Sequence, residues 1–416
     1  MTAPVIIVGA GMAGIAAARR LAQGGVRATV IDPGAWFEWL PNIHELVSGR
    51  KSPGDLRLPR AALLRAMGHR FLQQRVVSVA PEPRTLTLDN GQTVHWSRLI
   101  LACGGEEQGL DIPGVRQHAF GFKSVDQCHA IGERLCALMA APGSRTISVV
   151  IVGGGIEGVE ATGEVLRRYR GDQRLQITLL EGSDRLMPSA PAALDLALRN
   201  RLAGQPVTVR DAVRVTAVSA EGVTIQARDG ATTELMADLV VWTGGTRPPS
   251  WLAKAGLADE RGWGRVTTSL ASPVSPHVWL CGDAARLPGV TGKQAADALA
   301  AGLCAADNLI ARRDGRAARA FRAPGRPQVL TLGDLDAWLI AEDHVLSGPL
   351  LGELKEVIYQ FYMRRLDSRK AWRAWPAMFR RLGGAGMQRL DGWGDDPFRL
   401  LDPRRYLLQW HKGADS

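Results

Sequence analysis

The chain has 416 residues, enough for two or three domains with sizeable cores, and its composition is that of an ordinary globular protein. Its formal net charge is +10, and eight Arg or Lys residues face a single acid between positions 364 and 389. No apolar run reaches the roughly 18 residues of a membrane span, and the five cysteines lack zinc-site or disulfide spacing, so integral membrane, zinc and disulfide-framework proteins are excluded.

The first 32 residues predict a strand, a glycine loop, a helix and a second strand. The strand at 5–8 runs into Gly9, Gly11 and Gly14, and the next strand, "RATVID", ends on Asp32. In a βαβ dinucleotide site these glycines permit the tight turn, the approach of the pyrophosphate and the packing of helix on strand. The acid accepts hydrogen bonds from ribose hydroxyls, and its distance from the last glycine is near the expected value of about 20 residues.

The same pattern returns in the middle of the chain. A strand at 149–152 is followed by Gly153, Gly155 and Gly158, and "LQITLLE" ends on Glu181. Each unit continues with a hairpin, "TLTLDNGQTVHW" or "VTIQARDGATTEL", and closes on a strand with a glycine pair, "LILACGG" or "LVVWTGG". An internal duplication with two dinucleotide sites is therefore predicted.

A third pattern comes after the second unit. In "HVWLCGDAARLPGVTGKQAADALAAG" a short strand leads to Gly282 and Asp283, and a helix is predicted to begin near Gly292. This resembles the late Gly-Asp motif of the FAD-dependent pyridine nucleotide oxidoreductases, in which the aspartate binds the FAD ribitol and the helix points its N-terminus at the flavin. The resemblance implies that the first unit binds FAD and the second binds NADH.

The predicted fold class is α/β, with two Rossmann-like dinucleotide-binding domains and a small C-terminal α+β region with basic aromatic helices. We expect a discontinuous FAD domain at 1–115 and 246–325, an NADH domain at 116–245, and an interface region at 326–416. The predicted cofactor-binding residues are Gly9, Gly11, Gly14, Asp32, Val76, Cys103, Gly104, Gly153, Gly155, Gly158, Glu181, Gly244, Gly282 and Asp283.

Glu181 favours NADH over NADPH, because a carboxylate repels the 2′-phosphate of NADPH. Arg185 lies close by in the sequence. Arg185 could bind the 2′-phosphate and allow some use of NADPH. A structural salt bridge from Arg185 to Glu181 is an equal alternative.

The cysteines narrow the choice within this superfamily. The disulfide reductases need a redox cysteine pair, and none is present. Sulfide:quinone reductases need a cysteine in the C-terminal third, and none comes after Cys304. Cys103 and Cys281 are interpreted as small buried hydrophobic residues. The remaining route runs from NADH through the flavin to an external acceptor.

Several stretches resemble the type II NADH dehydrogenases, single-chain NADH:quinone oxidoreductases that pump no protons. They are "FEWLPNIHELVSG", "GGGIEGVEATGEV", "LVVWTGGTRP", "CGDAA" and "VLTLGDLDAWLIAEDHVLSGPLLGELKEVIYQFYMRRL". The resemblance implies hydride transfer from NADH to FAD and transfer of two electrons to a quinone. The family usually has two glutamines beside the flavin, whereas this chain keeps Gln294 and has Ala298 at the second position.

Three residues are candidates for catalysis. The family places a functional glutamate at the position of Glu160, and Gln294 and Lys293 are expected to line the acceptor side. A structural cap is the alternative for Glu160, and a solvated side chain is the alternative for Lys293. Glu164 is interpreted as structural and Glu157 as solvated. No metal ion and no nucleic-acid partner are predicted.

The basic C-terminal segment is predicted to lie on an anionic membrane surface. In "AWRAWPAMFRRL" at 371–382 the apolar side chains recur at helical spacing beside arginines, and "PFRLLDPRRYLLQWHK" at 397–412 adds a second such patch. A C-terminal subdomain packed on the protein and a protein-docking face are the alternatives. The protein is expected in the cytoplasm, peripheral to the inner face of the cell membrane, and a homodimer is left open.

Two other functions stay open from the sequence. One is an NAD(P)H-dependent reductase of a ferredoxin or rubredoxin, with the C-terminal arginines docking an acidic protein. The other is a weakly catalytic, NADH-sensing flavoprotein that resembles apoptosis-inducing factor. Oxidation of NADH by quinone without any protein acceptor distinguishes the quinone reductase from both.

Overall fold

The computed structural model describes residues 3–290, 292–348 and 350–367. Two five-stranded parallel sheets form its centre, one built from the first repeat and one from the second. Before residue 119 the elements are β1 (Val5–Val8), α1 (Met12–Gln23), β2 (Ala28–Ile31), β3 (Trp36–Glu38), a 3₁₀ turn (Leu40–Asn42), α2 (Glu45–Ser48), α3 (Pro53–Leu56), β4 (Arg57–Pro59), α4 (Arg60–Ala66), β5 (Arg70–Leu72), β6 (Val76–Ala80), β7 (Thr85–Leu88), β8 (Thr93–His95), β9 (Arg98–Leu101), β10 (Glu106–Glu107) and α5 (Val115–His118).

The remaining elements belong to the second repeat and to the C-terminal part of the chain. The second repeat contains β11 (Ala119–Gly121), α6 (Val125–Ala140), β12 (Ile147–Val152), α7 (Ile156–Tyr169), β13 (Leu175–Leu180), α8 (Ala192–Leu202), β14 (Val207–Arg210), β15 (Val213–Val218), β16 (Gly222–Ala227), β17 (Thr232–Met236), β18 (Leu239–Trp242) and β19 (Thr246–Arg247). The C-terminal part contains α9 (Ser250–Lys254), β20 (Val278–Leu280), a 3₁₀ turn (Gly282–Ala284), α10 (Ala295–Arg313), β21 (Gln328–Leu332), β22 (Asp336–Ala341), β23 (His344–Ser347) and α11 (Leu350–Leu366).

The first sheet has the strand order β20-β9-β1-β2-β5, and all its strands are parallel. Its central strands are continuous apolar runs, as expected for a parallel sheet covered on both faces. β20 reaches this sheet only after the whole second repeat. Helices α1 and α10 pack against each other beside the sheet.

The second sheet repeats this arrangement in the order β11-β18-β12-β13-β14. Each sheet is accompanied by an antiparallel sheet of three strands, β6-β7-β8 or β15-β16-β17. The predicted hairpin turns are confirmed, and Gly91 and Gly230 there have the positive φ that such turns require. The predicted fold class of two Rossmann-like domains is confirmed.

The helix expected near Gly292 begins three residues later. Gln294 is its N-cap with extended backbone angles, and the first helical residue is Ala295. The preceding Lys293 turns its amine back to the carbonyl oxygens of Asp283 and Ala285.

After α10 the chain forms the antiparallel sheet β21-β22-β23 and helix α11. β21 packs directly on α7, where a Cβ on Gly163 would lie only 2.2 Å from the amide nitrogen of Gly333. This close approach brings the C-terminal region against the helix of the second glycine loop. The predicted basic aromatic helices at 371–382 and 397–412 lie outside the described residues. None of the described helices is both long and apolar enough to cross a bilayer.

Candidate active site

The first glycine loop has the geometry of a pyrophosphate cradle. A Cβ on Gly9 would lie 2.2 Å from the carbonyl oxygen of Ala102, and one on Gly14 would lie 1.9 Å from that of Gly9. These two positions therefore exclude any side chain. A Cβ on Gly11 would meet nothing within 4 Å, so this glycine keeps a space open beside the N-terminus of α1.

The second loop repeats these distances. A Cβ on Gly153 would lie 2.6 Å from Oγ1 of Thr243, and one on Gly158 would lie 1.7 Å from the carbonyl oxygen of Gly153. The space at Gly155 is open within 4 Å, beside the N-terminus of α7. The open side of each loop fits a dinucleotide pyrophosphate.

The acid of the first unit is held by its own loop. The carboxylate of Asp32 accepts hydrogen bonds from the amides of Ala10 and Gly34, each at 2.8 Å. Arg60 also donates to Asp32, and to the carbonyl oxygen of Ala10 at 3.1 Å. A largely buried cation therefore compensates the charge of this acid.

The acid of the second unit is held in the same way. The carboxylate of Glu181 accepts from the amides of Gly154 and Ser183, each at 2.7 Å. Arg185 donates instead to the carbonyl oxygen of Pro188 at 2.8 Å, and its Nη1 is buried without a hydrogen-bond partner among the described residues. The alternative of a salt bridge from Arg185 to Glu181 is therefore not the observed contact.

The other predicted cofactor residues lie at strand ends. Cys103 and Gly104 come directly after β9, Gly244 comes after β18, and Val76 begins β6. The side chain of Val76 is buried in the core. Burial raises the pKa of the Cys103 thiol to about 12, and burial also raises that of Cys281. Thiols of this kind are poor nucleophiles. Cys281 is buried, as interpreted, whereas Cys103 is only partly buried.

One cavity of about 470 Å³ connects the two repeats. It is lined by residues 11–13 of the first loop, by 38–44, and by Ile156, Glu157 and Glu160 of α7. Its remaining walls come from Gly282 and Asp283, from the start of α10, and from β21 and α11. Such a cavity is large enough for the reacting rings of small molecules.

The Gly-Asp turn and the start of α10 form one wall. Burial raises the pKa of Asp283, and the amine of Lys293 opposes this effect. That amine donates to the carbonyl oxygens of Asp283 and Ala285 at 2.9 and 3.0 Å and lies 3.9 Å above the ring of Trp263. Lys293 and Gln294 both line the cavity. The amine of Lys293 thus contacts protein groups, while the residue as a whole stays exposed to solvent.

Glu160 lies at the centre of a buried polar cluster. Its Oε1 accepts from Nζ of Lys355 at 2.5 Å and from the amide of Thr331 at 3.3 Å. Its Oε2 lies 3.2 Å from Nδ1 of His44, and Nε2 of His44 lies 3.3 Å from the hydroxyl of Thr331. Glu160, His44 and Lys355 all line the cavity. Glu160 is therefore not a helix cap.

Burial dominates the electrostatics of this cluster. It raises the pKa of Glu160 to about 7, against the opposing effects of Lys355 and Thr331. Burial, together with Lys355 and the more distant Arg167, holds the pKa of His44 well below its usual value. The cluster therefore offers a carboxyl that can gain or lose a proton near neutral pH beside a neutral imidazole.

Glu164 has a different environment from Glu160. It is fully buried, accepts from the hydroxyl of Ser48, and pairs with Nε of Arg167 at 3.1 Å. The contact with Ser48 joins α7 to α2, and the pair with Arg167 lies within α7. Both contacts agree with the structural interpretation.

The prediction that Glu157 is solvated is wrong. Its carboxylate lies 2.5 Å from Nζ of Lys123, its side chain is 31% exposed, and both residues line the cavity. The first turn of α7 faces the junction between the repeats, so the side chain is drawn toward Lys123.

Sequence reasoning missed His44, Lys123 and Lys355. His44 stands inside the stretch "FEWLPNIHELVSG", but no role was inferred for it. Lys355 shares the buried face of α11 with Ile358 and Tyr362, where a lone lysine is unusual. A charged residue on the apolar face of this helix was the sequence feature that could have identified Lys355.

The family comparison agrees with this geometry. Residues 3–302 match the family model described as pyridine nucleotide-disulphide oxidoreductase. A demethylphylloquinone reductase of a Synechocystis strain is 24% identical over 86% of this chain and 91% of its own length. A type II NADH:quinone oxidoreductase of Mycobacterium tuberculosis is 27% identical over 69% of this chain and 67% of its own.

Solved structures share the fold. The type II NADH dehydrogenase of Plasmodium falciparum in complex with NADH has a TM-score of 0.76 at 15% identity, covering 90% of this chain and 99% of that one. The sulfide:quinone oxidoreductase of Aquifex aeolicus has a TM-score of 0.78 at 17% identity, covering 88% and 92%. The predicted resemblance to type II NADH dehydrogenases is confirmed.

Proposed function

The chain belongs to the pyridine nucleotide-disulphide oxidoreductase family, and from this membership we propose that it passes two electrons from NADH to a quinone. It is an oxidoreductase whose cofactors are FAD and NADH. The observation that carries the choice of acceptor is the Glu160 cluster, which lines the same cavity as the first glycine loop and the second loop's helix.

The walls of the cavity suit a flat apolar ring. Trp39, Leu40, Pro41, Val329 and Ile358 line it on the side of α11. Trp39 is itself held by Tyr359 and Tyr362, whose ring centroids lie 6.3 and 4.9 Å away. A quinone would bury its apolar ring here and turn its carbonyl oxygens toward the polar cluster.

Reduction of a quinone to a quinol also requires two protons, and Glu160 is our candidate to hold one of them. Because its pKa is about 7, the carboxyl is partly protonated at neutral pH and can donate. The short contact from Lys355 orients its Oε1, while the neutral imidazole of His44 faces its Oε2 at 3.2 Å and holds that oxygen in place.

When bound, FAD would supply the two-electron chemistry between NADH and the acceptor. The protein binds and orients the partners. In this proposal Gly11 and Gly155 admit the two pyrophosphates, while Asp32 and Glu181 bind the two riboses. Asp283 and the N-terminus of α10 hold the flavin side of the cavity, and Gln294 and Lys293 line the acceptor side.

Steady-state oxidation of NADH by the purified, FAD-loaded protein tests the acceptor. We expect rapid turnover with a soluble short-chain quinone, and slow turnover with ferredoxin or with oxygen alone. A faster reaction with ferredoxin, inhibited by salt, would transfer the assignment to a protein acceptor. A long-lived complex of flavin and NAD without turnover would contradict an enzyme altogether.

We further propose that residues 368–416 attach the protein to an anionic membrane, where a quinone would be found. The support is the basic and aromatic pattern of this segment. Truncation after Asp367 should release the protein from anionic liposomes in a flotation assay, and unchanged partition would reject membrane attachment through this segment.

A further inference from the structure

Glu157 and Lys123 form an ion pair at the entrance to the second repeat. Nζ of Lys123 lies 2.5 Å from Oε2 of Glu157, and the two side chains are 25% and 31% exposed. Lys123 lies between β11 and α6, whereas Glu157 is the second residue of α7. The pair therefore joins the segment before α6 to the helix whose N-terminus lies next to Gly155.

The surroundings of Glu157 are acidic. Burial is the largest cause that raises its pKa, Lys123 opposes the effect, and the carboxylates of Glu107 and Asp283 add to it. Lys123 is thus the direct ion-pair partner of Glu157, while Asp283 also has Lys293 nearby. The side chain of Gln127 connects Lys123 to Glu107, since it accepts from the backbone amide of Lys123 and donates to the carboxylate of Glu107.

An acid at this position affects any anion that binds α7. The N-terminus of a helix attracts negative charge within its first turn, and a carboxylate there occupies the same favourable potential as a pyrophosphate. The pyrophosphate of NADH brings two negative charges to this place. It would therefore meet repulsion from Glu157 and would compete with Glu157 for Lys123.

The first repeat has no such acid. Gly11 and Gly155 are the N-caps of α1 and α7, so Ala13 occupies the position that Glu157 occupies in the second repeat. The first turn of α1 contains no acidic residue. Within the loop and the first turn of its helix, the difference in charge therefore lies at this one matched position.

We propose that Glu157 lowers the affinity of the second site for pyridine nucleotide, so that the oxidised nucleotide leaves after hydride transfer. The acid acts by opposing the pyrophosphate and by withholding Lys123 from it. This inference rests on the assignment of NADH to the second loop, and it does not depend on the identity of the acceptor.

The test is nucleotide binding to the full-length, FAD-loaded protein at pH 8 without any acceptor. Glu157→Gln should lower the Kd of NADH and of NAD⁺ by about fivefold, the effect of removing one partly screened charge. Lys123→Met should raise both values, because Glu157 then stands uncompensated. The difference between wild type and Glu157→Gln should shrink as ionic strength rises.

Glu234→Gln is the matched control, because it removes the same charge from an exposed strand of the second repeat and should leave the Kd unchanged. FAD content and melting temperature show that the variants are folded. An unchanged or higher Kd in folded Glu157→Gln overturns the inference. Tighter NADH binding with weaker NAD⁺ binding also overturns it, because the charge would then act on the nicotinamide ring. Failure of quinone reduction affects neither outcome, since no acceptor is present.

Discussion

The two glycine loops are nearly the same in backbone and differ in the side chains of the adjoining helix. Both keep an open space at the second glycine, and both hold an acid through two backbone amides. The acids Glu157, Glu160 and Glu164 of α7 stand at positions that Ala13, Ala16 and Arg20 occupy in α1.

This difference reflects what each helix contacts. The small residues of α1 let it pack closely on α10, where Arg20 pairs with Asp307 at 2.5 Å. The acids of α7 face Lys123, Lys355 and Arg167 instead. The backbone therefore provides the dinucleotide site in both repeats, and the side chains of α7 add the chemistry at the junction.

We expect the largest effect from Glu160→Gln. This change replaces an acid of α7 by an uncharged residue, as at the matched position Ala16 of α1. We expect the kcat of quinone reduction to fall roughly hundredfold, because the proton donor is removed. The rate at which NADH bleaches the flavin absorbance in anaerobic stopped flow should change by less than about twofold, because Glu160 serves the acceptor side in our proposal. A comparable loss in both half-reactions would contradict this role.

The same residue determines a pH dependence. Since burial raises the pKa of Glu160 to about 7, the carboxyl holds its proton below that pH and loses it above. The kcat of the wild type with quinone should therefore decline as pH rises through about 7, and Glu160→Gln should lack that decline. His44 stays neutral in this window, because its pKa is lowered. Glu164→Gln is the matched control and should keep the decline of kcat with pH, since Glu164 is buried on the same helix without lining the cavity.

A smaller effect should come from the second glycine of each loop. Gly155→Ala places a methyl in the space left for the pyrophosphate without touching other protein atoms. Weakening a hydrogen bond to a charged group costs about 2 kcal/mol, so the Kd of NADH should rise about thirtyfold while FAD content stays normal. Gly11→Ala should instead affect the FAD site and lower the FAD content of the purified protein. Loss of FAD from Gly155→Ala would show that the two sites are not separate.

The duplicated loops could be predicted because their signals are local. A Cβ on Gly14 or Gly158 would clash with the carbonyl oxygen of the first glycine in the same loop, so the spacing of these glycines reports the structure directly. A Cβ on Gly9 or Gly153 is excluded by residues that follow a later strand, Ala102 and Thr243. The strands, the hairpin turns and the two acids could be predicted from the same local rules.

The cluster around Glu160 could not be predicted in full. Its members His44, Thr331 and Lys355 come from three distant segments, and only the packing of β21 and α11 on α7 brings them together. Glu157 was assigned wrongly for the same reason, because Lys123 lies 34 residues away in the chain. Charge pairing between distant segments of the chain leaves no periodic signal in a sequence.

The smallest effect that would sharpen the comparison concerns the acid after the second strand. Glu181→Ala frees the amides of Gly154 and Ser183 and removes the charge that repels a 2′-phosphate. Arg185, whose Nη1 is buried without a partner among the described residues, would be available to bind that phosphate. The ratio of kcat/KM for NADH to that for NADPH should therefore fall about tenfold, as expected for about 1.4 kcal/mol. Adding Arg185→Ala should reverse part of the change. Asp32 does not discriminate between two nucleotides in this way, because FAD carries no 2′-phosphate. If the wild-type protein already preferred NADPH, Glu181 would not be the residue that selects the nucleotide.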